Sequence, residues 1–131
     1  MRHRGFTLIE LLVVIAVMGA VMALVGPFGV EQVAKGERIQ ETRKLASLLE
    51  RQAQTAFLTG NGYIIVFDGQ QLKVENTSSK QTTLVNFQHL FFTPQQTYLN
   101  LNGIYNRREI EYYSAGQPHT LALSFTEPRR E

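Results

Sequence analysis

The chain has 131 residues, with 13 Lys and Arg against 11 Asp and Glu, 44% hydrophobic residues and no cysteine. No disulfide framework, thiolate nucleophile or cysteine-ligated zinc can be built from it. Arg2 and Arg4 carry the whole charge excess; without residues 1–5 the basic and acidic counts are both 11, so charge predicts no general attraction to nucleic acid or acidic lipid.

A short basic head, Met1-Arg2-His3-Arg4, is followed by Gly5-Phe6-Thr7-Leu8-Ile9-Glu10 and then by an apolar run with no charged residue from Leu11 to Val25. Phe6 to Val25 is long enough for one helix across a hydrocarbon core of ~30 Å. Three readings fit a basic head and an apolar run. One is a cleaved secretory signal, for which Val21-Met22-Ala23 offers a weak cleavage site. Another is a plain single-pass anchor. The third is a leader cut at the start of the run, so that the apolar helix stays with the mature chain. Glu10 separates them. A carboxylate there costs ~2.5–3.5 kcal/mol near a membrane centre and less near the interface, so it is expected to have a partner, and a signal or an anchor has no use for it.

The stretch Gly5-Phe6-Thr7-Leu8-Ile9-Glu10-Leu11-Leu12-Val13 resembles the type III signal of type IV pilins and of the pseudopilins of type II secretion. The resemblance covers about the first 25 residues. It implies cleavage after Gly5 by a prepilin peptidase, N-methylation of the new N-terminal Phe6 and an assembly role for Glu10. The physical logic agrees. Cleavage creates an ammonium at Phe6. Glu10, four residues on, is expected on the same helical face, and in a bundle of such helices the ammonium of one subunit meets the carboxylate of the next. Such a pair sets register, and removing one partner strands the other at ~3–5 kcal/mol. Gly19 and Ala20 offer close helix approach. Pro27 is the 22nd residue counted from Phe6, a position where many pilins carry a helix-bending proline. With Gly26 and Gly29 beside it, a kink or melted turn at Gly26-Pro27 is expected, the alternative being a simple end to the membrane helix. The basic head is expected to stay cytoplasmic by the positive-inside rule, which puts everything after Phe28 on the periplasmic side of a bacterial inner membrane.

Glu31 to Leu58 reads as a second helical stretch continuous with the first. Leu45, Leu48, Leu49, Gln52, Ala53, Ala56 and Phe57 share one face. Residues 31–44 are far more polar, a solvated surface or a set of charges that pair between subunits. Gly60-Asn61-Gly62 ends the helix. Tyr63–Phe67 and Leu72–Glu75 flank Asp68-Gly69 as a hairpin. Further strands are expected at Thr83–Phe87, Leu90–Phe92, Tyr98–Leu101, Ile110–Tyr113 and Leu121–Phe125, with turns at Asn102-Gly103 and Ala115-Gly116-Gln117-Pro118. The expected fold is therefore α+β, a long N-terminal helix whose amphipathic half packs on a small antiparallel sheet. The expected parts are a leader at 1–5, a transmembrane and assembly helix at 6–28, and a periplasmic head at 29–131 made of the helix 31–58 and a sheet within 63–125.

Other chemistry is not expected. His3, His89 and His119 stand apart with no metal-ligand spacing. No nucleophile elbow, P-loop or dinucleotide fingerprint is present, so neither a catalytic site, a metal nor a cofactor is predicted. Asp68 is the only Asp, which argues against the acidic calcium site of major pseudopilins, and the missing cysteines exclude the C-terminal disulfide loop of major pilins. The layout of long helix, Gly-rich break, hairpin and short strands is similar to the H-type minor pseudopilin and to FimT-like minor pilins. The resemblance implies a prepilin peptidase/methyltransferase, sibling pilins or pseudopilins, an inner-membrane platform protein and an assembly ATPase as partners. Some FimT-like pilins bind DNA, and the basic pairs Arg107-Arg108 and Arg129-Arg130, with Tyr105, Tyr112 and Tyr113 as stacking surfaces, are the candidate DNA contacts here. Solvated surface charge is the competing reading, since Glu109, Glu111, Glu127 and Glu131 neighbour both pairs. A membrane-anchored or secreted binding domain is the remaining alternative.

Overall fold

Thr7-Leu8-Ile9-Glu10 has the Ser/Thr-x-x-Glu pattern that starts helices. In the computed structural model, which describes residues 5–124, the helix begins there. Helix α1 runs from Leu8 to Thr59. It ends in an αL cap: Gly60 has φ +66°, and its N–H donates to the Ala56 carbonyl at 2.9 Å. Pro27 lies inside α1, which neither ends nor melts at Gly26-Pro27 as the sequence suggested. The proline still lacks the N–H that would bond back to Ala23, so the ladder misses one rung there. Backbone contacts divide the chain into two compact units, Met1–Gly36 and Glu37–Glu131.

In the first unit, α1 leaves every side chain from Leu8 to Phe28 exposed, and the helix is long and apolar enough to cross a membrane by length and composition. In the second unit, the rest of α1 packs on six antiparallel strands. These are β1 (Tyr63–Gly69), β2 (Gln71–Asn76), β3 (Thr82–Asn86), β4 (Leu90–Leu99), β5 (Glu109–Ser114) and β6 (Gln117–Ala122), in the order β3-β2-β1-β4-β5-β6. This is the α+β, pilin-like architecture expected.

The core forms where alternate strand residues meet one stripe of α1. Leu45, Leu49, Ala53 and Ala56 are buried against Ile65, Phe67, Leu72, Leu90, Phe92, Leu99 and Ile110. Phe92 anchors it, with its ring 5.1 Å from Phe67 and 5.6 Å edge-on from Phe87. Phe57, expected in the stripe, is 67% exposed; it lies about 100° around the helix from Ala56, past the covered strip.

Three strand features differ from expectation. The first hairpin turns at Gly69-Gln70, since Asp68 already pairs with Gln71; only Gly69 has positive φ, as a type II′ turn requires at its first central residue. The stretches Leu90–Phe92 and Tyr98–Leu101 are not separate strands, because residues 90–99 form the single strand β4 and Leu101 lies in the loop beyond it. Pro94 sits inside this interior strand because pairing lapses around it. The β1–β4 register shifts between Phe67 and Gly69, and the β4–β5 ladder holds only Leu90 with Ser114 and Phe91 with Tyr113. The Gln95 carboxamide takes over where that ladder stops, donating to the Glu111 carbonyl at 2.6 Å and accepting from its N–H at 3.4 Å. The last strand occupies Gln117–Ala122 rather than Leu121–Phe125. The turn shrinks to Ala115-Gly116, both with positive φ, so Gln117 and Pro118 join an edge strand where a missing N–H is tolerated. Leu123 is buried just past that strand, and Phe125 lies outside the described residues.

Candidate functional site

The proposed cleavage junction lies just outside α1. Gly5, Phe6 and Thr7 are non-helical and exposed. Thr7 is the N-cap: its carbonyl accepts from the Leu11 N–H at 3.2 Å, its N–H donates to Glu10 Oε2 at 3.0 Å, and its Oγ1 accepts from the Glu10 N–H at 3.4 Å. The pair forms a reciprocal capping box that meets two of the backbone donors a helix N-terminus leaves unpaired. The positive end of the helix dipole adds a further stabilisation of the carboxylate. Gly5, Phe6, Thr7 and Glu10 together line an open cleft of about 460 Å³.

This geometry corrects one expectation. Phe6 and Glu10 do not share a helical face, because the box halts the helix after Phe6. Within the single chain the Glu10 carboxylate accepts from the amide of Thr7. The signal was readable as Ser/Thr-x-x-Glu, but the apolar residues around it drew the reading toward the membrane.

The basic pairs on the head fare differently. Arg107 is exposed, with Nη1 3.5 Å from the Gln96 carbonyl, and Arg108 is exposed with its carbonyl accepting from Leu123. Arg129 and Arg130 lie outside the described residues, as do Glu127 and Glu131. Two of the three tyrosines cannot act as base platforms. Tyr105 is 1% exposed and its hydroxyl donates to the Leu49 carbonyl at 2.6 Å; its burial pushes the phenol pKa above the ordinary value. Tyr112 is buried and stacked on His119 at 5.4 Å. Tyr113 stays on the outer face with Glu109 and Glu111, because strand alternation puts odd and even residues on opposite sides.

One cluster escaped the sequence reading. Glu41 accepts the consecutive N–H groups of Gln88 and His89, both at 2.7 Å, and Glu37 meets His89 Nε2 at 3.0 Å. Lys44 lies over the Phe87 ring, 5.4 Å from its centroid. The i, i+4 spacing of Glu37 and Glu41 was visible, but their target is some fifty residues along the chain. The cluster ties α1 to the start of β4. Both Glu41 oxygens are committed to backbone donors, and among the described residues no group of His, Cys, Asp or Glu is arranged to hold a metal.

Residues 1–26 match the family described as the prokaryotic N-terminal methylation motif. No curated protein and no solved structure matches the chain. The matched segment contains Gly5, Phe6, Thr7 and Glu10 and ends at Gly26. It supports a type IV pilin-like prepilin signal, which indicates a structural subunit rather than an enzyme and, with the apolar helix that follows, fits membrane anchoring.

Proposed function

We propose that this protein is a minor pilin or pseudopilin, made as a precursor, cut between Gly5 and Phe6, methylated on the Phe6 amine and drawn from the inner membrane into a filament of the type IV class. The observation that carries the reading is the methylation motif at residues 1–26, continuous with an exposed apolar helix whose first turn holds one carboxylate.

The mechanism follows from charge in a low-dielectric medium. Residues 6–25 hold the subunit in the bilayer, with the basic head cytoplasmic and the folded head periplasmic. Cleavage after Gly5 replaces an amide with an ammonium at Phe6. In the filament this ammonium pairs with Glu10 of an adjoining subunit, so each charge offsets the desolvation of the other. The apolar flanks of α1, with Gly19 and Ala20 for close approach, supply the packing. Pro27 and Gly26 provide a local weak point in the helix for adjustment during packing. Sibling subunits, a prepilin peptidase/methyltransferase, a platform protein and an assembly ATPase complete the system. The lack of cysteine and the single Asp favour a minor subunit, and the layout of long helix, Gly-rich break, hairpin and short strands favours the H-type or FimT-like kind, serving a type II secretion pseudopilus or a pilus.

Two measurements test this. The intact mass of membrane-extracted protein is expected to show loss of residues 1–5 and gain of one methyl; loss through Ala23 instead indicates ordinary secretion and ends the proposal. Glu10→Leu is expected to leave processing intact and to cut incorporation into filaments at least tenfold, since an unpaired buried ammonium costs ~3–5 kcal/mol.

A further inference from the structure

We infer that Thr7 is a positioning residue for Glu10, holding the carboxylate at the N-terminal rim of its own helix in the unassembled subunit so that it faces an incoming ammonium. The inference rests on the assembly role proposed for Glu10. It starts from two reciprocal hydrogen bonds, Thr7 N–H to Glu10 Oε2 at 3.0 Å and Glu10 N–H to Thr7 Oγ1 at 3.4 Å.

A glutamate on the first turn of a membrane helix has several places to go. Its three side-chain torsions let it lie along the helix flank, reach outward to headgroups, or fold back over the N-terminus. The capping box selects the last. The hydroxyl of Thr7 fixes the start of the helix at Leu8 and so fixes which backbone N–H the carboxylate meets. The box engages one oxygen of a group that has about four acceptor sites, so an ammonium can be bound without the capping bond being broken. The carboxylate is also kept hydrogen-bonded while the subunit waits in the bilayer, where a bare charge is costly. Because the box ends the helix, Phe6 stays outside it with 87% of its surface exposed, which leaves the end created there open to a neighbouring subunit.

The box and the charge can be separated by substitution. Thr7→Val keeps the β-branched shape and loses the hydroxyl, whereas Thr7→Ser keeps the hydroxyl and loses the methyl. Glu10→Gln keeps a side chain able to close a capping box but removes the charge. The readout is the fraction of processed protein cross-linked to another pilin-type subunit in the cell, with intact mass confirming that each variant is cut after Gly5. Thr7→Val is expected to fall roughly fivefold, the equilibrium factor of a typical lost N-cap side chain, and Thr7→Ser to match the wild type. A role for Thr7 in helix packing reverses that order, with Val tolerated and Ser impaired. Thr7→Val assembling like the wild type, or Thr7→Ser as poor as Thr7→Val, overturns the inference. Normal assembly of Glu10→Gln instead overturns the charge pairing under the proposed function, so the two failures are read from different variants.

Discussion

Single residues decide how the loops of the head meet α1. Gly103 has φ +73°, and a Cβ placed on it would lie 2.4 Å from the Ala53 carbonyl oxygen, so both conformation and space demand glycine. Two residues on, Tyr105 is fully buried and reaches the Leu49 carbonyl. Tyr105→Phe is expected to cost about 1 kcal/mol, the net value of one hydrogen bond, read as a shift in urea midpoint at pH 7. The raised phenol pKa adds a pH signature. A folded value above the unfolded one leaves stability whole below about pH 10, the ordinary phenol pKa, and removes it as pH climbs from there toward the folded value. Stability measured between pH 9 and 11 is therefore expected to fall more steeply in the wild type than in Tyr105→Phe. Ala115 is the opposite case. It holds φ +51° beside Gly116 at φ +72°, the pair of positive angles of a type I′ turn, but without the residue that turn prefers. A left-handed conformation costs an ordinary L-residue about 1–2 kcal/mol. Ala115→Asn is expected to raise stability by about 0.5–1 kcal/mol in the same assay.

At the scale of elements, α1 is one secondary structure with two kinds of surface. Up to Phe28 its side chains are exposed and, Glu10 apart, apolar; from Leu45 to Ala56 it buries one stripe against a sheet. Propensity does not distinguish these parts, and what differs is the solvent or partner each surface needs. The polar stretch between them is not only solvated surface, because Glu41 clamps the backbone of residues 88 and 89. Glu41→Ala is expected to cost about 1–2 kcal/mol, the lower part of the range for hydrogen bonds to charged groups, because the site is partly open to water. Glu41→Gln, which keeps one acceptor, is expected to fall between. The same clamp explains how β4 starts cleanly at Leu90 after a loop whose Phe87 enters the core. Within the sheet, β4 tolerates Pro94 because the Gln95 side chain stands in for the missing ladder to Glu111.

For the whole molecule, contacts group the chain into residues 1–36 and 37–131, and the entire buried core belongs to the second group. Residues 37–131 expressed alone are therefore expected to unfold in one cooperative transition by circular dichroism, with the alkaline behaviour assigned to Tyr105 intact. A gradual, non-cooperative loss of signal would mean that the first 36 residues contribute to folding. Among the described residues of the first group none is buried, and its exposed apolar surface calls for lipid or other helices. In the proposed function, folding and assembly are thus driven by different surfaces of one helix.

The order of letters was enough for the apolar N-terminal run, the Gly5-Phe6-Glu10 motif, the stripe from Leu45 to Ala56 and most strand cores, because each rests on spacing within one turn or one strand. It was also enough for the α+β class, since a strand set with one apolar face needs the only amphipathic helix available. The tertiary structure alone decided the rest. Tyr105 and Tyr112 read as surface aromatics until the sheet turned them inward, β4 read as two strands until β1 paired with it from Gln95 to Leu99, and Glu41 read as solvated charge until Gln88 and His89 arrived beside it. Each of those outcomes joins residues distant in the chain. Periodicity reports which face of an element is apolar, but not which remote backbone group will come within hydrogen-bond reach of a given side chain.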